Sequence, residues 1–402
     1  MSPDRTAALI QQAERYGAHN YHPLPVVLSR GEGCFVWDVE GRRYFDMLSA
    51  YSAVNQGHCH PRIVGALTEQ AARLALTSRA FHNDRMGGML QKIAELTGFE
   101  KVLPMNTGAE AVETAIKAMR KWGYEVKGIP QDQAEIVVAE GNFHGRTTTI
   151  VGFSSDPGTY QGFGPKTPGF RSVPYGDAAA LREALGPHTC GVLLEPIQGE
   201  AGVKIPPDDY LPAVRAACEE QKVLLCLDEI QTGLGRTGKL FAWEHVGARP
   251  DLIILGKALS GGLYPVSCVA ANDEVLGVFT PGTHGSTYGG NPLAAAVACA
   301  ALDVLIDEDL SARAAALGEV FVSELRRRLD TPQLLEVRGR GLMVAAEFRR
   351  PCAHELALEL MKVGVLAKDT HDTTLRFAPP LVIREEQLRE ALDLIVPVLD
   401  RA

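Results

Sequence analysis

Short, unbroken apolar runs recur along the chain, and stretches with helical spacing separate them. "EIVVAE" (Glu135 to Glu140), "GVLLEP" (Gly191 to Pro196), "VLLCLDE" (Val223 to Glu229) and "LIILGK" (Leu252 to Lys257) are continuous rather than alternating. Such runs suit strands covered on both faces of a mostly parallel sheet. Val102-Leu103 reads as one more strand, and the segment after it sets Val112, Ala115, Ile116 and Met119 on one helical face. Strands alternating with helices predict an α/β architecture. A polar or glycine-rich cluster follows each strand: Asn106-Thr107-Gly108, Gly141-Asn142-Phe143, Gln198-Gly199-Glu200, Asp228-Glu229 and Lys257. Sites in open α/β sheets gather outside the carboxyl ends of strands, so these ends point to one pocket.

The pattern changes near Asn291-Pro292. A long helix is predicted from Pro292, and a second carries Leu310, Ala314, Leu317 and Phe321 on one stripe. Short strands are expected within Leu334 to Phe348 and Thr374 to Pro380. A terminal helix presents Leu388, Leu392, Ile395 and Leu399 on one face. This predicts a large unit at 46–292 and a smaller α+β unit at 293–402. Residues 1–45, leading into the hairpin-like "GCFVWDVEGRRYFDM", are expected to pack with the small unit or across a partner chain.

Composition narrows the function. The 402 residues are 46% hydrophobic and 22% charged, enough for a large core. A net charge of −9 gives no basic footprint for nucleic acid or anionic lipid. No apolar run approaches the ~20 residues of a membrane helix. The first residues lack the apolar core of a signal peptide and the arginine-rich character of a transit peptide, so a cytoplasmic location is expected. Eight cysteines stand singly and read as reduced thiols. "GHCHP" sets His58 and His60 two apart, but no second ligand cluster accompanies them, so no metal is expected. "GLGRTGKL" (Gly233 to Leu240) imitates a phosphate loop. Leu240 stands where a magnesium-binding hydroxyl belongs, and Asp228-Glu229 would set carboxylates beside phosphates, so it is read as a decoy.

Lys257 is the informative residue. A lysine at the end of a core strand has its charged form disfavoured, and the neutral amine can form a Schiff base with an aldehyde. The aldehyde cofactor pyridoxal 5'-phosphate (PLP) also needs a carboxylate on its ring nitrogen, an anion cradle, a flat surface and a donor at its phenolic oxygen. Asp228 offers the carboxylate, with a helix cap as its bland alternative. Gln231 offers the donor. "NTGAEA" (Asn106 to Ala111) opens a helix that would hold a phosphate, unless Asn106 or Thr107 merely caps it. "GNFHGRT" supplies Phe143 for the ring and Arg146 for a substrate carboxylate, and "HGSTYGGNP" brings two hydroxyls on an exposed turn.

These residues resemble a known family. "LDEIQTGLGRTG", "PDLIILGKALSGGLYPVS" and "HGSTYGGNPLA" are similar to the signature of class III pyridoxal-phosphate aminotransferases. "YGAHNYHPLPVVLSRGEGCFVWDVEGRRYFDMLSAYSAVNQGHCHP", "KVLPMNTGAEAVETAIK", "GFGPKTPGF", "EPIQGEAGV" and "LRFAPPLVI" resemble its ornithine-using branch, across about Tyr16 to Ile383. The resemblance implies the type I PLP-dependent transferase fold, with a mostly parallel seven-stranded sheet in the large domain. It implies Lys257 as the Schiff-base lysine, Asp228 at the pyridine nitrogen and Gln231 at the phenolic oxygen. Thr107, Gly108 and Ala109 would hold the phosphate, and Phe143 would stack on the ring. Ser286 and Thr287 would reach the phosphate of the other subunit of a homodimer with shared active sites. Tyr21 and Arg146 would hold the α-amino and α-carboxylate ends of L-ornithine, and Tyr51 would shape the pocket. Glu200 and Arg376 would form a switchable ion pair, masked for ornithine and open for the α-carboxylate of glutamate, with a fixed structural salt bridge as the alternative. His144 stands where animal members of the family carry Trp.

The activity so implied moves the δ-amine of ornithine to 2-oxoglutarate by a ping-pong route, giving glutamate 5-semialdehyde, which cyclises to pyrroline-5-carboxylate, and glutamate. That belongs to proline synthesis or arginine breakdown. N-acetylornithine and 4-aminobutyrate are the rival substrates. A non-catalytic binding protein is the rival class, and the presence of Lys257 argues against it.

Overall fold

In the computed structural model, which describes residues 5–402, the chain starts with an exposed helix, Arg5–Tyr16. Residues 1–4 of the expected N-terminal segment lie outside the described residues. Three antiparallel strands follow: β1 (Leu28–Glu32), β2 (Phe35–Asp38) and β3 (Arg43–Asp46). The large sheet then comprises β4 (Lys101–Met105), β5 (Glu135–Ala139), β6 (Phe170–Val173), β7 (Thr189–Leu194), β8 (Leu224–Asp228), β9 (Leu252–Leu255) and β10 (Ser267–Ala271). Its spatial order is β4-β10-β9-β8-β7-β5-β6, and β10 alone runs against its neighbours. The expected mostly parallel seven-stranded sheet is therefore present.

The unbroken apolar runs have a direct cause. Successive strand residues face opposite sides, and here both sides are core. Ile136, Val138, Leu193 and Cys226 belong to one apolar cluster, whereas Val137, Val192, Leu194 and Leu225 belong to another. The helix Gly108–Glu125 covers the first face with Val112, Ala115, Ile116 and Met119, all buried. Two strands carry no such run. β6 is an edge strand with Arg171 and Ser172 exposed, and β10 is built largely from small residues, "SCVAA".

The helix Pro292–Asp307 packs on the helices Pro61–Arg73 and Met86–Thr97. After the helix Leu310–Arg328 come β11 (Leu334–Arg340), β12 (Met343–Phe348), β13 (Val365–Leu366), β14 (Lys368–Thr370) and β15 (Thr374–Phe377). A second sheet has the order β11-β12-β15-β14, while β13 pairs with β3 and extends the N-terminal strands into a third sheet. The last helix, Glu385–Leu399, buries Leu388, Leu392, Ile395 and Leu399. Each such side chain contributes about 1.5–3 kcal/mol on leaving water.

All eight cysteines are free thiols, and Cys59 is the exposed one. His58 and His60 diverge: one meets Asp46 at 2.6 Å and the other Glu308 at 2.9 Å. No helix among the described residues is long and apolar enough to cross a membrane.

Candidate active site

Lys257 stands two residues beyond β9, with a φ of +44°. Its side chain borders three cavities, of about 200, 310 and 760 Å³. Among the described residues its Nζ has no hydrogen-bond or ion-pair partner. Burial pushes the pKa of this amine down; Arg376 adds to that effect, and the carboxylates of Glu200 and Asp228 oppose it.

The cavity of about 200 Å³ is lined by Gly108, Ala109, Phe143, His144, Glu195 and Asp228, together with Gln231 and Lys257. Asp228 ends β8, where its Oδ1 accepts from the Ile230 amide at 3.0 Å. Its Oδ2 lies 2.7 Å from Nδ1 of His144, a fully enclosed imidazole whose Nε2 has no partner. Burial works against the imidazolium, but the hydrogen bond and charge of Asp228, with help from Glu195, raise the His144 pKa above its ordinary value. Glu195 follows β7 and accepts from the Phe143 amide at 3.0 Å. Burial raises its carboxyl to about 7.

At one end of this cavity the helix Gly108–Glu125 begins. Thr107 caps it by accepting from the Glu110 amide, while the Glu110 carboxylate accepts from the amides of Asn106 and Thr107. The capping alternative for Thr107 is thus realised. It leaves the amides of Gly108 and Ala109, which no intrahelical acceptor serves, for an anion. A Cβ at Gly108 would come 2.9 Å from Ile230 Cδ1, so a larger residue here would have to push the end of that side chain aside. Ser286 sits beside this end and accepts from Asn106 Nδ2 and from the Gly289 amide, both at 3.0 Å. Thr287 is exposed and lines none of these three cavities.

The cavity of about 760 Å³ has Tyr21, Tyr51, Arg146, Glu200, Arg376 and Lys257 on its walls. Arg376 is 2% exposed, and its Nη1 reaches Glu200 Oε1 at 2.7 Å. Burial pushes the Glu200 carboxyl up, but Arg376, Lys257 and Gln231 together hold it below its ordinary value. Gln231 donates to Glu200 at 3.2 Å and accepts from Arg376 at 3.2 Å, so its amide bridges the ion pair. That engagement was not foreseen; the sequence suggested only the phenolic oxygen. Arg146 is exposed, with its guanidinium 5.5 Å from the Phe143 ring centroid, and Tyr21 is 78% exposed.

Tyr51 belongs to a turn in which Ser49, Ala50, Tyr51 and Ser52 all have positive φ, at 45°, 47°, 60° and 70°. Left-handed backbone costs about 1–2 kcal/mol per residue other than glycine, so the surroundings must enforce this turn. It delivers the Tyr51 ring to 5.2 Å from the Arg376 guanidinium.

An unpartnered, desolvated amine, a buried carboxylate and two free helix-terminal amides converge on one cavity, and this set fits pyridoxal phosphate. The fold and this constellation are those of a PLP-dependent aminotransferase. Residues 16–399 match the aminotransferase class-III family, and the chain belongs to it. The chain is 56% identical over 397 residues to the ornithine aminotransferase of a Geobacillus strain, with 98% of each sequence covered. Among solved structures it is similar to the Toxoplasma gondii ornithine aminotransferase, at 46% identity and a TM-score of 0.97, covering 98% of this chain and 94% of that one. That structure is described as having partial occupancy of PLP at the active site. It is also similar to an acetylornithine aminotransferase from Elizabethkingia anophelis, at 52% identity and a TM-score of 0.90, with 99% of each chain covered.

Sequence reasoning missed His144 as a partner of Asp228. The signal was available: a carboxylate closing a core strand needs a donor, and histidine follows Phe143 directly. Glu195, in "LLEP", ends its strand as Asp228 does and was passed over as part of that run.

Proposed function

We propose that this chain is an L-ornithine δ-aminotransferase, passing the δ-amino group to 2-oxoglutarate to give glutamate 5-semialdehyde and glutamate. The observation that carries this reading is the masked Arg376, paired with Glu200 beside Lys257 in the larger cavity. Ornithine brings no carboxylate next to its reacting amine, and the pair stays closed for it. The α-carboxylate of glutamate or 2-oxoglutarate competes for Arg376 and opens it. Pyridoxal phosphate, when bound, supplies an aldehyde that captures the amine and a ring that accepts electrons. Gly108 and Ala109 would hold its phosphate, Phe143 its ring face and Gln231 its phenolic side, and Asp228 would meet the ring nitrogen. Lys257 Nζ would take the proton from the substrate δ-carbon as a base and, as a general acid, deliver it to the carbon on the cofactor side of the C–N bond. Tyr21 and Arg146 hold the α-amino and α-carboxylate groups, and Tyr51 closes the pocket.

The working unit is a homodimer in the cytoplasm. Thr287 and Tyr288 support this, because they project exposed from a turn anchored at the phosphate end by the Asn106–Ser286 bond. In this reading they complete a partner's site. The large domain spans 46–292 and the small domain 293–402, with residues 1–45 packing against the small domain and the partner. The product feeds proline synthesis or arises in arginine breakdown.

The Elizabethkingia relative keeps N-acetylornithine as a second reading. The test is half-reaction spectroscopy with ornithine, N-acetylornithine and 4-aminobutyrate side by side. Ornithine is expected to bleach the cofactor band fastest; a faster reaction with the acetylated amine overturns the substrate assignment.

A further inference from the structure

Arg236, within the decoy segment Gly233 to Leu240, is with Arg376 one of the two largest fully buried side chains, and among the described residues it has no ion-pair partner within 4.0 Å. Burial lowers its pKa to about 9. An isolated buried cation is costly, and packing alone is served better by an apolar residue. Its guanidinium instead holds four neutral oxygens. Nη1 donates to Leu342 O at 2.8 Å and Pro379 O at 2.6 Å, and Nη2 donates to Ser49 Oγ at 3.1 Å and Asn55 Oδ1 at 2.5 Å.

Those acceptors are the anchors of the substrate pocket. Ser49 opens the left-handed turn that carries Tyr51, and its hydroxyl donates onward to Ala378 O at 2.6 Å. Asn55 closes the segment and donates back to Leu234 O at 2.9 Å. Ala378 and Pro379 directly continue β15, which carries Arg376. The strained turn and the strand of Arg376 are therefore gripped by one planar fork, a task a lysine's single point of donation does not perform. Asp46 braces the turn from its other side, accepting from the amides of Leu48 and Ser49.

We propose that Arg236 is a positioning residue for substrate selection: it pins the turn Ser49–Ser52 to the end of β15 and so fixes Tyr51 against Arg376. Arg236 lines none of the three active-site cavities, so in this proposal its effect on the substrate is carried by the placement of Tyr51 against Arg376. The inference rests on the reading that Tyr51 and Arg376 meet the substrate.

The test is a double-mutant cycle on the holoenzyme between Ser49→Ala and Tyr51→Ala, with Arg236→Lys as a third variant. Steady-state constants are read on the amine donor the parent uses best, alongside the melting temperature. Ser49→Ala keeps the arginine and removes one contact, so the test survives if Arg236→Lys fails to fold. With Tyr51 present, Ser49→Ala is expected to raise the donor KM about five- to tenfold and to change kcat less than about twofold; with Tyr51→Ala in place it adds nothing further. Arg236→Lys, where folded, shifts KM in the same direction. An equal factor with and without Tyr51, or a lower melting temperature at unchanged KM, overturns the proposal. A parent that ignores ornithine sinks the substrate reading instead, and the coupling is still decided on the donor it does use.

Discussion

His144 Nδ1 lies 2.7 Å from Asp228 Oδ2, and both groups are sealed from water behind the cofactor cavity. The Asp228 carboxylate, proposed to meet the ring nitrogen, is thereby oriented by a neighbour whose own proton affinity it raises. A hydrogen bond to a charged, buried group contributes about 1.5–3 kcal/mol. His144→Ala is therefore expected to lower kcat about 10- to 100-fold, at about 1.4 kcal/mol per factor of ten. His144→Asn, which can still donate, should recover part of that loss. Single-turnover rates with ornithine check this; an alanine variant at parental rate refutes the role.

Glu195 gives a pH prediction. Its carboxyl titrates near 7 in the folded protein, against an ordinary value of 4.5. Between those values the folded state binds the extra proton, so Glu195 makes stability fall as pH rises from about 4.5 to about 7. Glu195→Gln can keep the acceptor for the Phe143 amide but cannot titrate. Melting curves of cofactor-free protein across pH 5–8 should decline less steeply for the variant; parallel curves contradict the assignment.

Lys257 carries the opposite sign. A folded-state pKa held below the ordinary 10.5 means that the unfolded chain binds more protons in the interval between the two. Stability contributed by this residue therefore rises with pH through that interval, and at neutral pH the desolvated amine is a liability. Lys257→Met should abolish transamination while raising the melting temperature of the cofactor-free protein near pH 7. The difference should shrink toward alkaline pH. Calorimetry at several pH values decides; a variant destabilised at every pH contradicts the expectation.

The strands buried on both faces were legible because burial on two sides leaves an unbroken apolar signature, as at Leu252–Leu255. β10 was not, because Ser267, Cys268 and Ala270 are small and carry little strand preference; the neighbours β4 and β9 decide its conformation. Lys257, Asp228 and the Glu200–Arg376 pair could be read from their places at strand ends and from a family resemblance. The bridging of that pair by Gln231 could not, since it depends on Gly199, where a Cβ would fall 1.7 Å from the Gln231 oxygen. Nor could the left-handed turn at Tyr51. "LSAYSAV" contains no glycine or asparagine to signal positive φ; a long-range bond from Arg236 holds the turn, together with a local one in which Asp46 accepts from the Ser49 amide.

The ion pair itself yields the sharpest kinetic prediction. Glu200 and Gln231 are the side chains that hydrogen-bond Arg376, and the arginine is almost wholly enclosed. Removing the carboxylate in Glu200→Ala leaves a buried cation with only the Gln231 amide and the Tyr51 ring to meet it, a situation that costs about 3–5 kcal/mol when a buried pair is broken outright. Two consequences follow with opposite signs. Ornithine, which presents only an amine and methylenes to that position, now meets a naked guanidinium, and its kcat/KM should fall at least about tenfold. Glutamate brings a carboxylate that relieves the same charge, so its half-reaction should become faster than in the parent. Stopped-flow measurement of both half-reactions on Glu200→Ala and on Glu200→Gln separates the effects. A parallel loss for the two donors would mean that the pair is a fixed structural bridge and that Arg376 is never uncovered.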